Sequence, residues 1–303
     1  MRYKISKYIL TFLCLFIGIG AIYGSICMLL DPTGKLLQMD SMLPYFQVLP
    51  LSKYLFQDYT FSGIALLIVN GITNFITVYF LVKNEERGIK LGMIFGITLM
   101  LWICIQFVIF PFNFLSTIFF IFGLLQLIMG YATYVFYQQI HFEFSENNYP
   151  DIDKDSNCLV VYFSRMGYTK KIAYQKANEL KADIIEIKTK ERTANTVGFW
   201  WCGRFGMHHW PMPIDSLNKN IKEYSKIIIV SPIWVFSIAA PIREFCIRYQ
   251  DDIKCVEYIL THHMKSDFIN VANEMDQLLN IKRKKLTSIC IRLGKVKSKH
   301  LFE

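Results

Sequence analysis

The sequence lacks the paired cysteines of a zinc ribbon or a thioredoxin-type dithiol. Its eight cysteines are spread singly along 303 residues, and none forms a C-x-x-C pair. There is also no P-loop, no recognisable Ser-His-Asp set and no nucleic-acid signature. We therefore expect a protein of a reducing compartment, without a disulfide framework and without a nucleic-acid partner.

Charge is missing from a long stretch of the N-terminal half. Residues 91–142 contain no Asp, Glu, Lys or Arg, a length that soluble domains almost never leave uncharged. About 20 apolar residues cross a bilayer, and four stretches reach that length: 8–30, 61–82, 91–110 and 114–137. The sequence therefore predicts four transmembrane helices, with Pro111 ending the third.

These spans contain no histidine and no ionisable residue near their middle. The first absence excludes a haem held by two membrane histidines, and the second removes the usual mark of a proton or ion pathway. Asn70, Asn74, Gln106 and Gln126 are predicted to form hydrogen bonds between helices. The bundle is interpreted as an anchor, and a quinone groove within it stays open as an alternative.

Basic residues in the short connections predict the orientation. Six Lys and Arg lie in the N-terminal tail and the second connection, and two lie in the first connection. By the positive-inside rule, both termini are cytoplasmic, in a multi-pass protein of the cell membrane. The first span is longer than a signal peptide and lacks a clear cleavage site, so we expect a retained anchor.

The remaining chain has a different pattern. Residues 143–156 are polar and acidic, which predicts a linker between a membrane region at 1–142 and a second domain at 157–303. In that domain, short β-branched runs alternate with helical periodicity, the pattern of a parallel α/β sheet. Strands are predicted at 158–163, 183–188, 226–230, 256–260 and 286–291, and helices at 169–180, from Pro241 onward, and at 267–279.

Five strands with helical crossovers predict a doubly wound domain of strand order 2-1-3-4-5, whose site lies where the order reverses. The two loops at that point are 164–169 and 231–240. The first joins two hydroxyl residues and a glycine to a helix N-terminus, which suits a phosphate. The second carries Trp234 and Phe236, flat apolar surfaces able to cover an aromatic ring system.

The run from Val160 to Lys170 resembles the first strand and phosphate loop of flavodoxins, whose usual form is Ser/Thr-x-Thr-Gly-x-Thr. The run from Ile229 to Trp234 resembles the flavin-ring loop of that family. The resemblance spans 157–303 and implies non-covalent FMN, with Ser164, Gly167 and Thr169 at its phosphate and Trp234 beside the ring. The implied cofactor-binding residues are Ser164, Arg165, Met166, Gly167, Tyr168, Thr169, Ser231, Pro232, Ile233, Trp234 and Phe236.

Three features depart from the flavodoxin pattern. Met166 replaces a hydroxyl residue, and Tyr168 stands where asparagine is frequent. A lost hydroxyl removes a charge-assisted hydrogen bond of roughly 1.5–3 kcal/mol, which backbone N–H groups and Arg165 would partly replace. The chain also ends soon after the fifth strand, so the family's final helix is expected to be shortened or absent, exposing a sheet face.

The segment 188–224 is dense in aromatic residues and irregular in pattern. It is interpreted either as a wall of the flavin site or as a long loop that buries its aromatics on the sheet. Cys202, His208 and His209 lack an evident fourth ligand, so no metal is expected. Thr261 and His262 follow the fourth strand, near the expected cofactor, and His262 and His263 are expected to be exposed loop residues.

The sequence thus predicts a membrane-anchored FMN protein that acts in electron transfer or as a flavin-dependent reductase. Its expected partners are the lipid bilayer and a membrane redox partner or quinone, and no catalytic acid or base is assigned. The alternative is a degenerate flavodoxin-like module for interaction or sensing that no longer binds flavin. A transporter with a regulatory flavodoxin-like domain is disfavoured by the charge-free spans.

Overall fold

The chain forms two compact units, Met1–His141 and Phe142–Glu303. The structure is a computed structural model that describes residues 2–110, 112–154 and 157–303. Pro111, predicted to end the third span, lies outside the described residues.

The first unit is helical. Among the described residues, four helices are long and apolar enough to cross a membrane: Arg2–Leu30, Thr60–Val82, Glu86–Ile109 and Phe114–Ile140. The second of these is built from α3 (Thr60–Leu66), a π-helical turn (Leu67–Ile72) and α4 (Thr73–Val82). The others are α1, α5 and α6, and the short α2 (Ser52–Leu55) lies in the connection after α1. The four predicted helices are therefore present, each extended by a few residues.

Small residues bring these helices close together. A Cβ atom on Gly96 of α5 would lie 2.8 Å from the carbonyl oxygen of Gly123 on α6, so the two backbones are in direct contact. Close contacts between small residues are common where helices pack in an apolar solvent, because the hydrophobic effect then gives no driving force for their association.

The buried amides of this unit divide into two kinds. Gln126 Nε2 donates to Asn74 Oδ1 at 3.0 Å and to Cys14 Sγ at 3.4 Å, linking three helices. Asn70, in the π-helical turn, is 1% exposed, and its side chain has no hydrogen-bond partner among the described residues. The predicted interhelical hydrogen bond is confirmed for Asn74 and Gln126, and also for Gln106 of α5, whose Oε1 accepts from Ser116 Oγ of α6 at 3.1 Å. It is wrong for Asn70.

The second unit is an α/β domain. Its five parallel strands lie in the order β2-β1-β3-β5-β6, which is the order predicted for strands two, one, three, four and five. They are β1 (Cys158–Tyr162), β2 (Asp183–Glu186), β3 (Lys226–Trp234), β5 (Val256–His262) and β6 (Lys285–Arg292).

The predicted strand number is wrong, because the sheet has seven strands rather than five. The two-residue β4 (Ser237–Ile238) folds back on β3, and β7 (Lys295–Phe302) lies antiparallel to β6. The C-terminal residues thus form an edge strand where a shortened or absent helix was expected. Their alternation of basic and other side chains suits a strand with exposed faces, and β6 supplies the backbone partners.

Four helices complete this unit: α7 (Tyr168–Leu180), α8 (Asn195–Met207), α9 (Ala240–Tyr249) and α10 (Ile269–Leu279). Because successive strand residues point to opposite faces of the sheet, β1 and β3 contribute residues to two hydrophobic cores, one on each face. Val161 and Ile229 belong to the core that also contains α9 and α10 residues, and Val160 and Ile228 to the core under α7. α8 lies inside the segment that sequence pattern left irregular.

The polar segment before β1 packs on this unit. Phe144 meets the ring of Tyr174 edge-on at 5.0 Å, and the Asp153 N–H donates to the Ala182 carbonyl at 3.2 Å. Lys170 of α7 pairs with Glu146 at 2.7 Å. The described residues 142–154 therefore belong to the same compact unit as the sheet.

Candidate functional site

A cavity of about 550 Å³ opens at the carboxyl ends of β1, β3 and β5. Five segments line it: the loop between β1 and α7, the β3–β4 hairpin, the end of β5, Ile291 of β6, and one face of α8. This is the point where the strand order reverses, and the volume lies within the range of small-molecule and cofactor sites. No Asp or Glu lines it within the part of the chain that the structure describes.

The loop after β1 is held in a tight turn by its own side chains. Gly167 has φ +87°, in the left-handed region that favours glycine, and α7 begins at the next residue. Its N–H donates to Ser164 Oγ at 3.1 Å. Because this oxygen acts as an acceptor, the Ser164 O–H remains available to donate to a ligand at the helix N-terminus.

A buried pair of hydroxyls joins this loop to β5. Thr169 Oγ1 lies 2.8 Å from Thr261 Oγ1, and both residues are about 5% exposed. In such a pair one hydroxyl donates to the other, so the acceptor keeps its own proton for another partner. The pair fixes the start of α7 to the end of the central strand β5.

Arg165 and Tyr168 of this loop have different surroundings. The guanidinium of Arg165 lies 5.2 Å from the centre of the Phe199 ring on α8, across the cavity. The ring of Tyr168 packs edge-on against Phe142 at 4.7 Å, and its buried hydroxyl has no hydrogen-bond partner among the described residues. Burial raises the pKa of Tyr168. Tyr168 therefore packs the loop against neighbouring structure, and its enclosed hydroxyl is not presented to a ligand.

The hairpin between β3 and β4 carries Trp234 into the cavity wall. The Trp234 ring meets Phe163 edge-on at 5.4 Å. The two turn residues, Val235 and Phe236, have φ of +47° and +63°. A two-residue hairpin turn of this kind normally uses Asn or Gly, and a β-branched residue there is strained.

A buried arginine with a partly exposed carboxylate partner supports this strained turn. Arg243 of α9 is 5% exposed, and its Nη2 donates to Ser237 Oγ at 2.9 Å and to Glu274 Oε1 at 2.7 Å. Ser237 pairs directly with Trp234 in the hairpin. Removing Glu274 would leave the Arg243 charge buried and without its ion-pair partner, so the pair holds Arg243 against Ser237 of the hairpin.

The structure brings most of the sequence-predicted residues to the cavity and leaves three outside its lining. Those that line it are Ser164, Arg165, Met166, Tyr168, Thr169, Pro232, Ile233 and Trp234. Gly167 shapes the turn beneath. Ser231 is fully buried, and its Oγ accepts from the Ala239 N–H at 3.3 Å. Phe236 is 65% exposed and points toward Phe268, 6.5 Å away between ring centres.

Sequence reasoning did not assign α8, which forms a whole wall of the cavity. Phe199, Trp200, Gly203, Arg204 and Met207 line it, at spacings that share one helical face. The helix approaches the hairpin closely at one residue, because a Cβ on Gly206 would lie 2.7 Å from the Trp234 carbonyl oxygen. The aromatic density of this segment was the signal, and the structure favours the wall over a loop buried on the sheet.

His262 was expected to be exposed, and this is wrong. It is the last residue of β5 and is 7% exposed. Nδ1 lies 2.6 Å from the Met264 carbonyl oxygen, so it must be the protonated nitrogen, and Nε2 then accepts from Ser288 Oγ at 2.8 Å. Burial lowers the pKa of His262, and the neutral ring is therefore locked in one tautomer in the cavity wall.

The residues considered for a metal have separate partners. Cys202 is 3% exposed among apolar neighbours, and burial raises the pKa of its thiol to about 11. His208 stacks on Trp210 at 4.4 Å, and His209 Nδ1 lies 2.9 Å from Glu274 Oε1. Within residues 2–110, 112–154 and 157–303, no three His, Cys, Asp or Glu side chains gather as a metal site.

Comparisons with known proteins point to solved structures alone. No family model matches the sequence, and no curated protein matches it. A candidate flavoprotein from Bacteroides eggerthii DSM 20697 is 22% identical, with a TM-score of 0.38, over 44% of this chain and 86% of that one. A second candidate flavoprotein, from Bacteroides uniformis ATCC 8492, is 21% identical, with a TM-score of 0.38, over 46% and 94%.

A third similar structure is a flavoprotein in complex with FMN from Lactobacillus acidophilus NCFM. It is 19% identical, with a TM-score of 0.36, over 44% of this chain and 91% of that one. The FMN belongs to the Lactobacillus protein. The fold of the α/β unit described above follows from its own strand order and register.

Proposed function

We propose that the α/β unit binds FMN without a covalent bond and that the protein acts in electron transfer or as a flavin-dependent reductase. One observation carries the proposal. The cavity at the reversal of strand order joins a phosphate-type loop at a helix N-terminus to a tryptophan hairpin. FMN has a phosphate and a planar ring system, and the two ends of the cavity match these two parts.

The residues present fit the cofactor. The backbone N–H groups at the start of α7, together with the Ser164 and Thr169 hydroxyls, are donors for a phosphate. Arg165 adds a positive charge to the same loop, and no acidic side chain of the described residues opposes the phosphate in the cavity lining. Trp234, Ile233 and Pro232 supply an apolar surface for the ring. The methionine in place of a hydroxyl removes one donor from this set.

When bound, FMN supplies one- and two-electron chemistry. The chain's own residues bind and orient it, and α8 forms one wall of the cavity. His262 has both ring nitrogens engaged and is neutral, so it contributes shape and hydrogen-bonded rigidity rather than an exchangeable proton. No side chain is assigned as a catalytic acid or base.

We further propose that the first unit anchors this domain in the cell membrane, with both termini cytoplasmic. The four helices are long and apolar enough to cross a bilayer, and most of their large exposed side chains are apolar. The excess of Lys and Arg in the N-terminal tail and second connection supports this orientation. An anchored flavin domain suits a redox partner that also resides in the membrane, such as a quinone.

The test is an FMN titration of the full-length protein purified in detergent, read by quenching of flavin fluorescence. Ser164→Ala removes one donor to the phosphate and should weaken FMN binding by roughly tenfold to a hundredfold. Ser225→Ala is the matched control, because Ser225 lies just before the amino end of β3, whereas the cavity lies at the carboxyl ends of the strands.

Riboflavin provides the second arm of this test. It lacks the phosphate, so Ser164→Ala should leave its affinity unchanged. A folded wild-type protein that binds neither flavin would overturn the proposal and favour the interaction or sensing module. Equal losses for FMN and riboflavin would place the phosphate elsewhere.

A further inference from the structure

The α8 face that lines the cavity is apolar except at one position. Phe199, Trp200 and Met207 supply aromatic and thioether surface, and Arg204 is the single charged residue on this face. Trp200 is 72% exposed and Met207 is 62% exposed, so the helix presents large apolar groups at the cavity opening. This surface is suited to a flat organic molecule that enters from solvent.

Arg204 belongs to the hairpin end of the cavity rather than the phosphate-loop end. Phe199, early in α8, lies beside Arg165 of the phosphate loop. Gly203 is nearest to Val235, and Gly206 meets the backbone of Trp234. Arg204 lies between these two glycines in the helix, about 7.5 Å further along the axis than Phe199 at 1.5 Å per residue. Its charge is therefore placed away from the site proposed for the FMN phosphate.

The position of this charge is fixed by two aromatic rings. The Arg204 guanidinium lies 5.7 Å from the Trp201 ring centre and 5.5 Å from that of Trp210. Among the described residues, no carboxylate oxygen lies within 4.0 Å of Arg204, in contrast to Arg243, Arg248 and Arg283. The described lining of the cavity contains no acid either, so Arg204 is a pre-positioned cation that lacks an anionic partner among the described residues.

We propose that α8 forms the subsite for a second ligand: a planar aromatic molecule that carries a carboxylate or sulfonate group. Its ring would contact Phe199, Trp200 and Met207, and its anionic group would pair with Arg204. This assignment rests on the proposed function, since it places the second ligand of a flavin-dependent reaction at the ring end of the FMN site. Arg204 is then the residue that selects anionic over neutral compounds.

The experiment compares naphthalene-2-sulfonate with naphthalene-2-sulfonamide, which share a ring and differ in charge. Binding to the full-length, FMN-treated protein in detergent is measured by isothermal titration calorimetry. We expect the sulfonate to bind about tenfold more tightly, the gain from one charge-assisted contact. We expect Arg204→Gln to abolish this preference and higher salt to reduce it.

Two further variants separate charge from structure. Arg204→Lys keeps the charge while losing the planar group between the tryptophans, and should retain part of the preference. Arg192→Gln removes a charge just before α8 that does not line the cavity, and should retain all of it. A wild-type protein without preference, or an unchanged preference in Arg204→Gln, would overturn the assignment.

The same samples distinguish this subsite from the flavin site. Flavin absorbance after removal of excess FMN reports whether the cofactor is retained, and calorimetry reports the sulfonate independently of any flavin signal. A colourless protein that still prefers the sulfonate through Arg204 would contradict the proposed function alone. A yellow protein without the preference would contradict the subsite alone.

Discussion

The two units of this chain distribute polar and apolar side chains in opposite ways. In the helical unit, Asn70, Asn74 and Gln126 are at most 1% exposed, while aliphatic residues such as Ile97 and Leu101 are 44% and 59% exposed. In the α/β unit, two apolar cores lie inside and most charged side chains are at least partly exposed. This contrast is what the proposed membrane anchoring requires, because helices that cross a bilayer expose apolar side chains to lipid and enclose their polar ones.

The sharpest way to break this comparison is one substitution made in both units. Ile97→Asp in α5 and Ile247→Asp in α9 replace isoleucines that are 44% and 40% exposed. A charge at the centre of a membrane helix costs about 2.5–3.5 kcal/mol on insertion scales, whereas an exposed change in a soluble domain usually stays within about 0.5 kcal/mol.

We therefore expect Ile97→Asp to lower the amount of protein in alkali-washed membranes severalfold and Ile247→Asp to leave it unchanged. The measurement is quantitative immunoblotting of the washed membrane fraction. Equal tolerance of both changes would contradict an apolar environment for α5.

A second pair of variants tests the wall of the cavity. Gly206→Ala places a methyl group 2.7 Å from the Trp234 carbonyl oxygen, whereas at Gly203 the nearest contact is an ordinary 3.8 Å to Val235. Overpacking at Gly206 should lower the free energy of unfolding by about 1–3 kcal/mol. Better helix propensity at Gly203 should raise it by about 0.5–1 kcal/mol.

The thermal midpoint of unfolding should therefore fall in Gly206→Ala and rise in Gly203→Ala, measured on the purified protein in detergent. Gly206→Ala should also weaken FMN binding, because α8 moves away from the hairpin. Equal midpoints for the two variants would show that α8 does not hold the observed position.

A third comparison lies inside the helical unit. Gln126→Leu deprives Asn74 of its donor, and hydrogen bonds between membrane helices are worth about 0.6 kcal/mol on average and up to about 1.7 kcal/mol. Asn70→Leu removes an amide that has no partner among the described residues, so it should be neutral or stabilising. Thermal unfolding in detergent should therefore separate them, and a large loss at Asn70 would reveal a partner for its amide.

The smallest expected effect concerns pH and the two adjacent histidines. Burial lowers the pKa of His262 in the folded protein. The unfolded chain therefore binds a proton at His262 more readily than the folded protein does. The contribution of neutral His262 to the free energy of unfolding is present above about pH 6.5 and should be lost as the pH falls toward the pKa of His262 in the folded protein. The difference in thermal midpoint between pH 7.5 and pH 5.5 should shrink in His262→Gln and persist in the exposed His263→Gln.

Sequence pattern predicted the parts of the fold that repeat a simple period. The order of the parallel strands follows from alternating strand and helix patterns, because crossovers of one hand leave few arrangements. α8 was missed because Phe199, Trp200 and Trp201 place aromatics on adjacent positions and blur any single apolar face. The hairpin turn was missed because Val235 and Phe236 lack the Asn or Gly that marks such turns.

For the site, the loop after β1 could be recognised because its glycine and hydroxyl residues serve the local turn. The contacts that depend on distant segments could not be. The bond between Thr169 and Thr261 joins residues 92 positions apart, and the pairing of Arg243 with Glu274 depends on how α9 and α10 pack. Such contacts depend on how the strands and helices assemble, and they have no local pattern in the sequence.

The C-terminal strand β7 has a consequence for how copies of this protein meet one another. An outer strand with unpaired backbone groups invites the same strand of a neighbouring molecule to extend the sheet. Lys295, Lys297 and Lys299 are exposed along β7. Repulsion between these lysines on neighbouring molecules opposes such pairing of β7 strands. We therefore expect the protein to resist edge-to-edge association at high concentration, whereas an uncharged edge strand would promote fibre-like aggregation.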